Sequence, residues 1–355
     1  MTCFDSVSIF PPDLAEHDRL TSAMREIVRS TKALLDTEEG VVVVTAGAAE
    51  SLSKVLHPSY SVIASFLEPQ EVTTLPHCSI LPIRRSGVRA WNTYLTDPGK
   101  FSHAFISAVN AEYGVVSDLP EISAMIKSIA PDTVVLADLS YAMDPAYFRG
   151  IADTTDVVLF DGSFCGAPHV GIIWAKDPEH VSVNTASGYQ QFGMRAGYLH
   201  EGSCSRLAEG IRAVIAMQDE DVQAVRSTRA RLEARLQQIP GVYLNFKDAP
   251  RAEHTANFYI EGVWTRPLTL ALRELGLLVT DTVDGLRNTQ RCTPLTSYMF
   301  EEPARHSNLL IRVGRHTNEE DVDKLGDTIE SALDAIRVVF PAQGPNVIAE
   351  ESPCT

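Results

Sequence analysis

The chain reads as an α/β protein: a large domain on a mostly parallel sheet flanked by helices, followed by a small C-terminal α+β domain. Three observations predict this. Short apolar runs of strand length alternate with helical spacing through the first two thirds of the sequence. A long stretch rich in Arg, Ala, Glu and Gln, residues 203–238, then interrupts the pattern, and shorter strand and helix signals follow it. With 355 residues, 45% of them apolar, the chain can build a substantial core and about two domains.

Taken in order, residues 1–40 read as an N-terminal arm and helix. The strand candidates are Val41–Thr45, Val62–Phe66, Phe105–Asn110, Val134–Ala137, Val157–Phe160 and Val170–Trp174; runs such as VVVV are apolar on both faces, as strands covered on both sides must be. Between them lie helical stretches: Ala48–Leu56 begins directly after Gly47, and Ile122–Ile129 repeats its apolar positions at helical spacing. Segment 203–238 predicts one long helix, stopped by Ile239-Pro240-Gly241 and bridging the domains. Strands Val242–Phe246, Asn257–Ile260 and Leu309–Val313 and helices Pro267–Leu275 and Glu319–Val338 complete the small domain. The expected division is 1–225, 226–340 and a loose tail 341–355 with two prolines and no periodicity.

Charge narrows the partners. Thirty Lys and Arg against 46 Asp and Glu give −16, so a nucleic-acid backbone or an anionic membrane surface is repelled. Six cysteines stand singly with no C-x-x-C pair, no basic segment with an apolar core opens the chain, and no apolar run is long enough to span a bilayer. A cytoplasmic protein without structural disulfides is expected. The histidines show no paired ligand spacing, so no metal site is predicted.

The segments VVVVTAGAAESL, LPHCSIL, FISAVNAEYGVVSDLPEI, VVLADLSYAMDP and VVLFDGSFCGAPHVGIIW, in that order, resemble the large domain of fold-type I pyridoxal-phosphate enzymes. The branch they resemble is that of the class V aminotransferases, and within it the cysteine desulfurases. SGYQQFGMRAGYL is similar to the family's Gly-Gly-x-Gln-Glu-x-Gly-x-Arg-x-Gly stretch, and LLIRVGRHTNEEDVDKL to its C-terminal Arg strand and helix. The likeness covers roughly residues 40–335.

The resemblance implies a set of site residues. Asp138 matches the Asp that pairs with the pyridine nitrogen, and His77 the His that stacks on the ring. Arg312 matches the Arg that grips the substrate carboxylate, with Gln190 and Arg195 beside it. Gly47, Ala48 and Ser163 fall in the phosphate-binding segments.

Several positions depart from the pattern. The family's Ser-x-His-Lys, source of the Schiff-base amine, reads Asp161-Gly162-Ser163-Phe164, and a phenyl ring cannot form an imine. The Thr of the phosphate turn reads Ala49, the Asn near the cofactor's phenolic oxygen reads Ala111, and the Gln on the Asp strand reads Tyr141. Asp161 beside a phosphate would add like-charge repulsion of about 1 kcal/mol even in water. None of the seven lysines sits at the motif; Lys176, at a strand end, is the candidate for a displaced amine.

Two functions compete. One is an enzyme, a diverged lyase or transferase acting on a small amino-acid-like or carbonyl substrate with a carboxylate, using Asp138, His77, Tyr141 and Arg312 with His169 or Cys165 as further acid, base or thiolate. No cofactor is then bound covalently, although free pyridoxal phosphate or pyridoxamine phosphate could be held without a lysine. The other is a catalytically inactive subunit of a fold-type I heterodimer, in which a second polypeptide completes the site. For the chain by itself the resemblance implies a homodimer. Cys292 lies where a desulfurase carries its persulfide-forming Cys but lacks the small-residue context.

Overall fold

A computed structural model describes residues 14–83, 91, 97, 99–183, 191–195, 197, 199–277, 279–281, 294–301 and 304–339. In chain order its main elements are α1 (Leu14–Leu34), β1 (Val41–Thr45), α2 (Ala48–Val55), β2 (Val62–Ser65), β3 (Cys78–Leu81), β4 (His103–Ser107), α3 (Leu119–Ile129), β5 (Val134–Asp138), β6 (Val157–Asp161) and β7 (Gly171–Ala175). After these come α4 (Glu201–Ile215), α5 (Asp219–Leu236), β8 (Val242–Leu244), β9 (Thr255–Ile260), α6 (Thr265–Glu274), β10 (Thr280–Asp281), β11 (Asn308–Arg312) and α7 (Glu319–Val339). By contacts the chain groups into one unit of residues 1–57 and 145–216 and another of 58–144 and 217–355, whereas the family resemblance divides it at residue 225.

In the first unit β7 pairs antiparallel with both β1 and β6. Residues 162–170 are too few for the crossover that a parallel neighbour needs, so β7 must return beside β6 in the opposite direction. Thr45 and Asp161 both align with Gly171, which places the end of β6 beside the turn into α2. A side chain at Gly171 would meet the Gly47 backbone at 2.8 Å, so this approach requires glycine. Helix α1 lies along α4, with Arg19 3.8 Å from Glu201 and Arg212 3.9 Å from Glu26.

In the second unit β5, β4, β2 and β3 are neighbours in that order, and every pair is parallel. Their residues are buried nearly throughout β2, β4 and β5, in keeping with the apolar runs that predicted them. The register aligns Val62 with Cys78 and His103, His103 with Val134, and Ser107 with Asp138, which fixes which residues share an end of these strands. The same unit holds an antiparallel sheet in the order β10-β11-β9-β8. Leu232 and Leu236 of α5, Phe258 and Ile260 of β9, Leu268 and Leu272 of α6, and Ile329 and Leu333 of α7 form its core.

The single long helix expected over 203–238 is two helices. Helix α4 ends at Ile215 and α5 begins at Asp219 with Asp219, Glu220 and Asp221 in its first turn, where acidic side chains favour the positive end of the helix dipole. Asp221 also accepts the Gln218 amide at 3.2 Å, fixing the new start.

Candidate active site

Of the residues singled out in the sequence, one group belongs to the first unit. Gly47 enters α2 with φ of +130°, a conformation a side chain resists. The amide of Ala48, the first residue of α2, donates to Asp161 Oδ2 at 2.9 Å, and the Ser163 amide donates to Asp161 Oδ1 at 2.8 Å. The carboxylate that ends β6 therefore occupies the N-terminus of α2, the place where backbone amides and the helix dipole attract an anion. Ser163 itself is exposed.

Phe164 is half-buried, with ring centroids 5.6 Å from Phe148 and 5.3 Å from Phe160, the latter edge-on. Aromatic rings at these separations gain packing energy beyond their buried area. Phe164 is thus a ring packed among rings.

Two further residues singled out in this unit are engaged within the protein. Arg195, expected beside the substrate, is buried and donates through Nε to both Glu50 carboxylate oxygens, at 3.0 and 3.2 Å, and through Nη1 to the Gly197 carbonyl at 3.0 Å. Its charge is used within the protein. Cys165, expected as a thiolate, faces Gly210 of α4 and donates to the Gly162 carbonyl at 3.3 Å. Burial pushes its pKa up to about 12, with Asp161 adding to the rise, so it is a neutral thiol at pH 7.

His169 is exposed and holds φ of +65°, a left-handed conformation in which histidine is one of the more frequent residues. Lys176 follows β7 at the end where Ala175 aligns with Val157, four residues of β6 away from Asp161, and so lies at the other edge from Phe164. Gln191, which the sequence reading passed over, accepts the Val44 amide at 2.7 Å and donates to the Val44 carbonyl at 2.8 Å. Gln190 and Cys292 lie outside the described residues.

The other group belongs to the second unit. Asp138 ends β5, is buried, and accepts the Ser140 amide at 2.9 Å, so the carboxylate stands where parallel strands end and ligand clefts form. Arg312 ends β11, places its guanidinium 5.2 Å from the centre of the Tyr141 ring, and donates to the Ala111 carbonyl at 2.6 Å. Tyr141 is 40% exposed. Tyr141 and Ala111 thus both engage Arg312.

His77 is corrected. It precedes Cys78, the first residue of β3, and its carbonyl accepts the amide of Val62, the first residue of β2. Through the parallel register that is the end of the sheet where Val134 begins β5, whereas Asp138 closes it. At about 3.3 Å per residue the two are well over 10 Å apart along the strands, so no ring can lie between them.

Near Asp138's end stands a carboxylate that sequence reasoning missed. Glu68, buried just after β2, accepts the Ser107 amide at 2.6 Å and the Ser65 hydroxyl at 2.9 Å. A Glu directly between apolar Phe66-Leu67 and Pro69 was the available signal. Among the described residues no cluster of three or more His, Cys, Asp and Glu is placed to hold a metal, and no helix is long and apolar enough to cross a membrane.

No protein-family model matches the chain. It is 22% identical over 349 residues to a cysteine desulfurase IscS of Ectopseudomonas mendocina, covering 90% of this chain and 83% of that protein. It is 24% identical over 250 residues to a cysteine desulfurase IscS of Salmonella typhi, covering 66% of this chain and 58% of that protein, so less than two thirds of this relative is spanned. Among solved structures it superposes on a NifS-like protein from Rickettsia africae with a TM-score of 0.78 at 15% identity, over 92% of this chain and 91% of the other. For the Escherichia coli cysteine desulfurase CsdA the values are 0.75 and 17%, over 92% and 88%. The expected architecture, an α/β fold of the fold-type I aminotransferase kind, is the fold of this protein.

Proposed function

We propose that the chain is a cysteine desulfurase-like protein of the class V aminotransferase branch that has given up the lysine-bound cofactor and serves as a catalytically silent subunit in the cytoplasm, assembled as a dimer. The observation that carries this reading is Phe164, packed with Phe148 and Phe160 where the resemblance places the reactive lysine. Other residues of the first unit support the same reading. Arg195 is paired with Glu50, Cys165 is a buried thiol, and Lys176 lies at the far edge of the strands. The side chains at the end of β6 do not fit pyridoxal phosphate in the family's manner, since both an amine and a free α2 N-terminus are needed.

A second reading has its own support. Arg312, with an aromatic face beneath it, is suited to the carboxylate of a small amino-acid-like or carbonyl compound, and Asp138 and Tyr141 belong to the same unit. On this reading the protein is a diverged lyase or transferase that works without a lysine-bound cofactor.

The test begins with purified protein and pyridoxal phosphate. After dialysis we expect no visible absorbance band, and after borohydride reduction and peptide mapping no pyridoxyl-lysine. A pyridoxyl group on any of the seven lysines would return the protein to the ordinary cofactor class. Turnover of an amino acid or carbonyl compound, lost in Arg312→Ala, would instead establish the second reading over the first.

A further inference from the structure

An anion-attracting position of the first unit, the start of α2, is already filled by the chain. Asp161 Oδ2 takes the Ala48 amide at 2.9 Å and Oδ1 the Ser163 amide at 2.8 Å, so one carboxylate spans the start of α2 and the turn after β6. Strand register enforces this. Asp161 and Thr45 both align with Gly171, and the absent side chain of Gly171 lets the Gly47 backbone come close enough for the bond to form. A Cβ on Gly47 would stand 3.2 Å from Asp161 Oδ2, so the carboxylate lies directly against the turn into α2.

We propose that Asp161 is a resident anion that stands in for a ligand phosphate, and that it, independently of the missing lysine, excludes phosphorylated ligands from the N-terminus of α2. This rests on the reading of the protein as one without the family's cofactor, and it divides that loss into two separable parts. Phe164 removes the covalent bond, and Asp161 removes the phosphate site. An incoming phosphate must either displace a carboxylate held by two amides or sit beside its charge, and both cost free energy. Restoring the amine alone therefore leaves the cofactor without a place for its phosphate.

The experiment is calorimetric titration of the full chain with inorganic phosphate and, separately, with pyridoxal phosphate. The wild type, Asp161→Glu and Phe164→Lys are expected to show no saturable phosphate binding at low millimolar concentration. Asp161→Ser, neutral and small, is expected to bind phosphate at least roughly tenfold more tightly than the wild type, and pyridoxal phosphate is expected to compete for the same site. Circular dichroism confirms that each variant is folded. Should Asp161→Ser not fold, Asp161→Asn, which keeps an acceptor for the amides, takes its place with a gain in the same direction.

Wild-type protein that binds phosphate as tightly as the neutral variant overturns the proposal. So does a folded neutral variant with no gain. Borohydride mapping tells the two failures apart: a pyridoxyl-lysine in the wild type defeats the functional reading, whereas the phosphate titration alone judges Asp161.

Discussion

His254 carries a pH dependence in one ring. Its Nδ1 is buried without a hydrogen-bond partner among the described residues, and burial, aided by Arg312 and Arg229, pushes its pKa down to about 4. The unfolded chain accepts a proton near pH 6.5, but the folded one does not until about pH 4. The unfolded state thus binds more protons in that window, so stability is complete above about pH 6.5 and falls as pH drops toward 4, by about 3 kcal/mol at most. Urea midpoints of wild type and His254→Gln at pH 7.5 and pH 5 measure this. The variant should lose less on acidification, and equal losses would refute the assignment. At this scale the sequence was readable where a residue departs from a motif: Phe164 and Asp161 stood out because a phenyl group and a carboxylate contradict the chemistry that the resemblance implies for their positions. It was unreadable where position along a strand decides the outcome. His77 lies in the right order along the chain but at the wrong end of a parallel strand, and order does not encode which end faces a site. Arg195 pairs with Glu50, 145 residues away in sequence, a partner that the local motif does not show.

Among the elements, α5 and the segment entering β9 are joined through one carboxylate. Glu233 accepts from Arg251 through both of its oxygens, Nη2 lying 3.0 Å from Oε2, and Arg229 lies 3.5 Å from Oε1. All three side chains are largely buried. Glu233→Gln removes the carboxylate that two enclosed guanidinium groups share and should cost about 3 kcal/mol in chemical denaturation. Glu320→Gln, on the exposed face of α7, should cost less than about 0.5 kcal/mol. Equal effects would show that the pairing is incidental. The strands with continuous apolar runs were legible because burial on both faces writes itself into composition, as in β1, β2 and β5. Strand β3 was not, since its residues are only partly covered and Cys78–Leu81 shows no such run. The break between α4 and α5 was encoded in Gln218–Asp221, but an acidic run inside a helix-forming stretch reads equally as a solvated face.

For the whole molecule, the predominance of acidic residues and the dimer proposal make one further expectation. Light scattering at micromolar concentration should give twice the 38.9 kDa chain mass, and a stable monomer would contradict the dimer. The fold class was legible because alternation of strand and helix signals is a property of the entire chain, which no single misplaced residue can erase. The site was less so, since its chemistry depends on a few side chains whose partners are distant in sequence. What keeps assembly from running further is visible at Gln191. Among the described residues strand β1 pairs only with β7, and the Gln191 amide takes both main-chain groups of Val44 on the other side. One side chain thereby imitates a single rung of an additional strand. A β-rich border that could recruit another molecule, and so seed fibrous or amorphous aggregates, is interrupted one residue before its end.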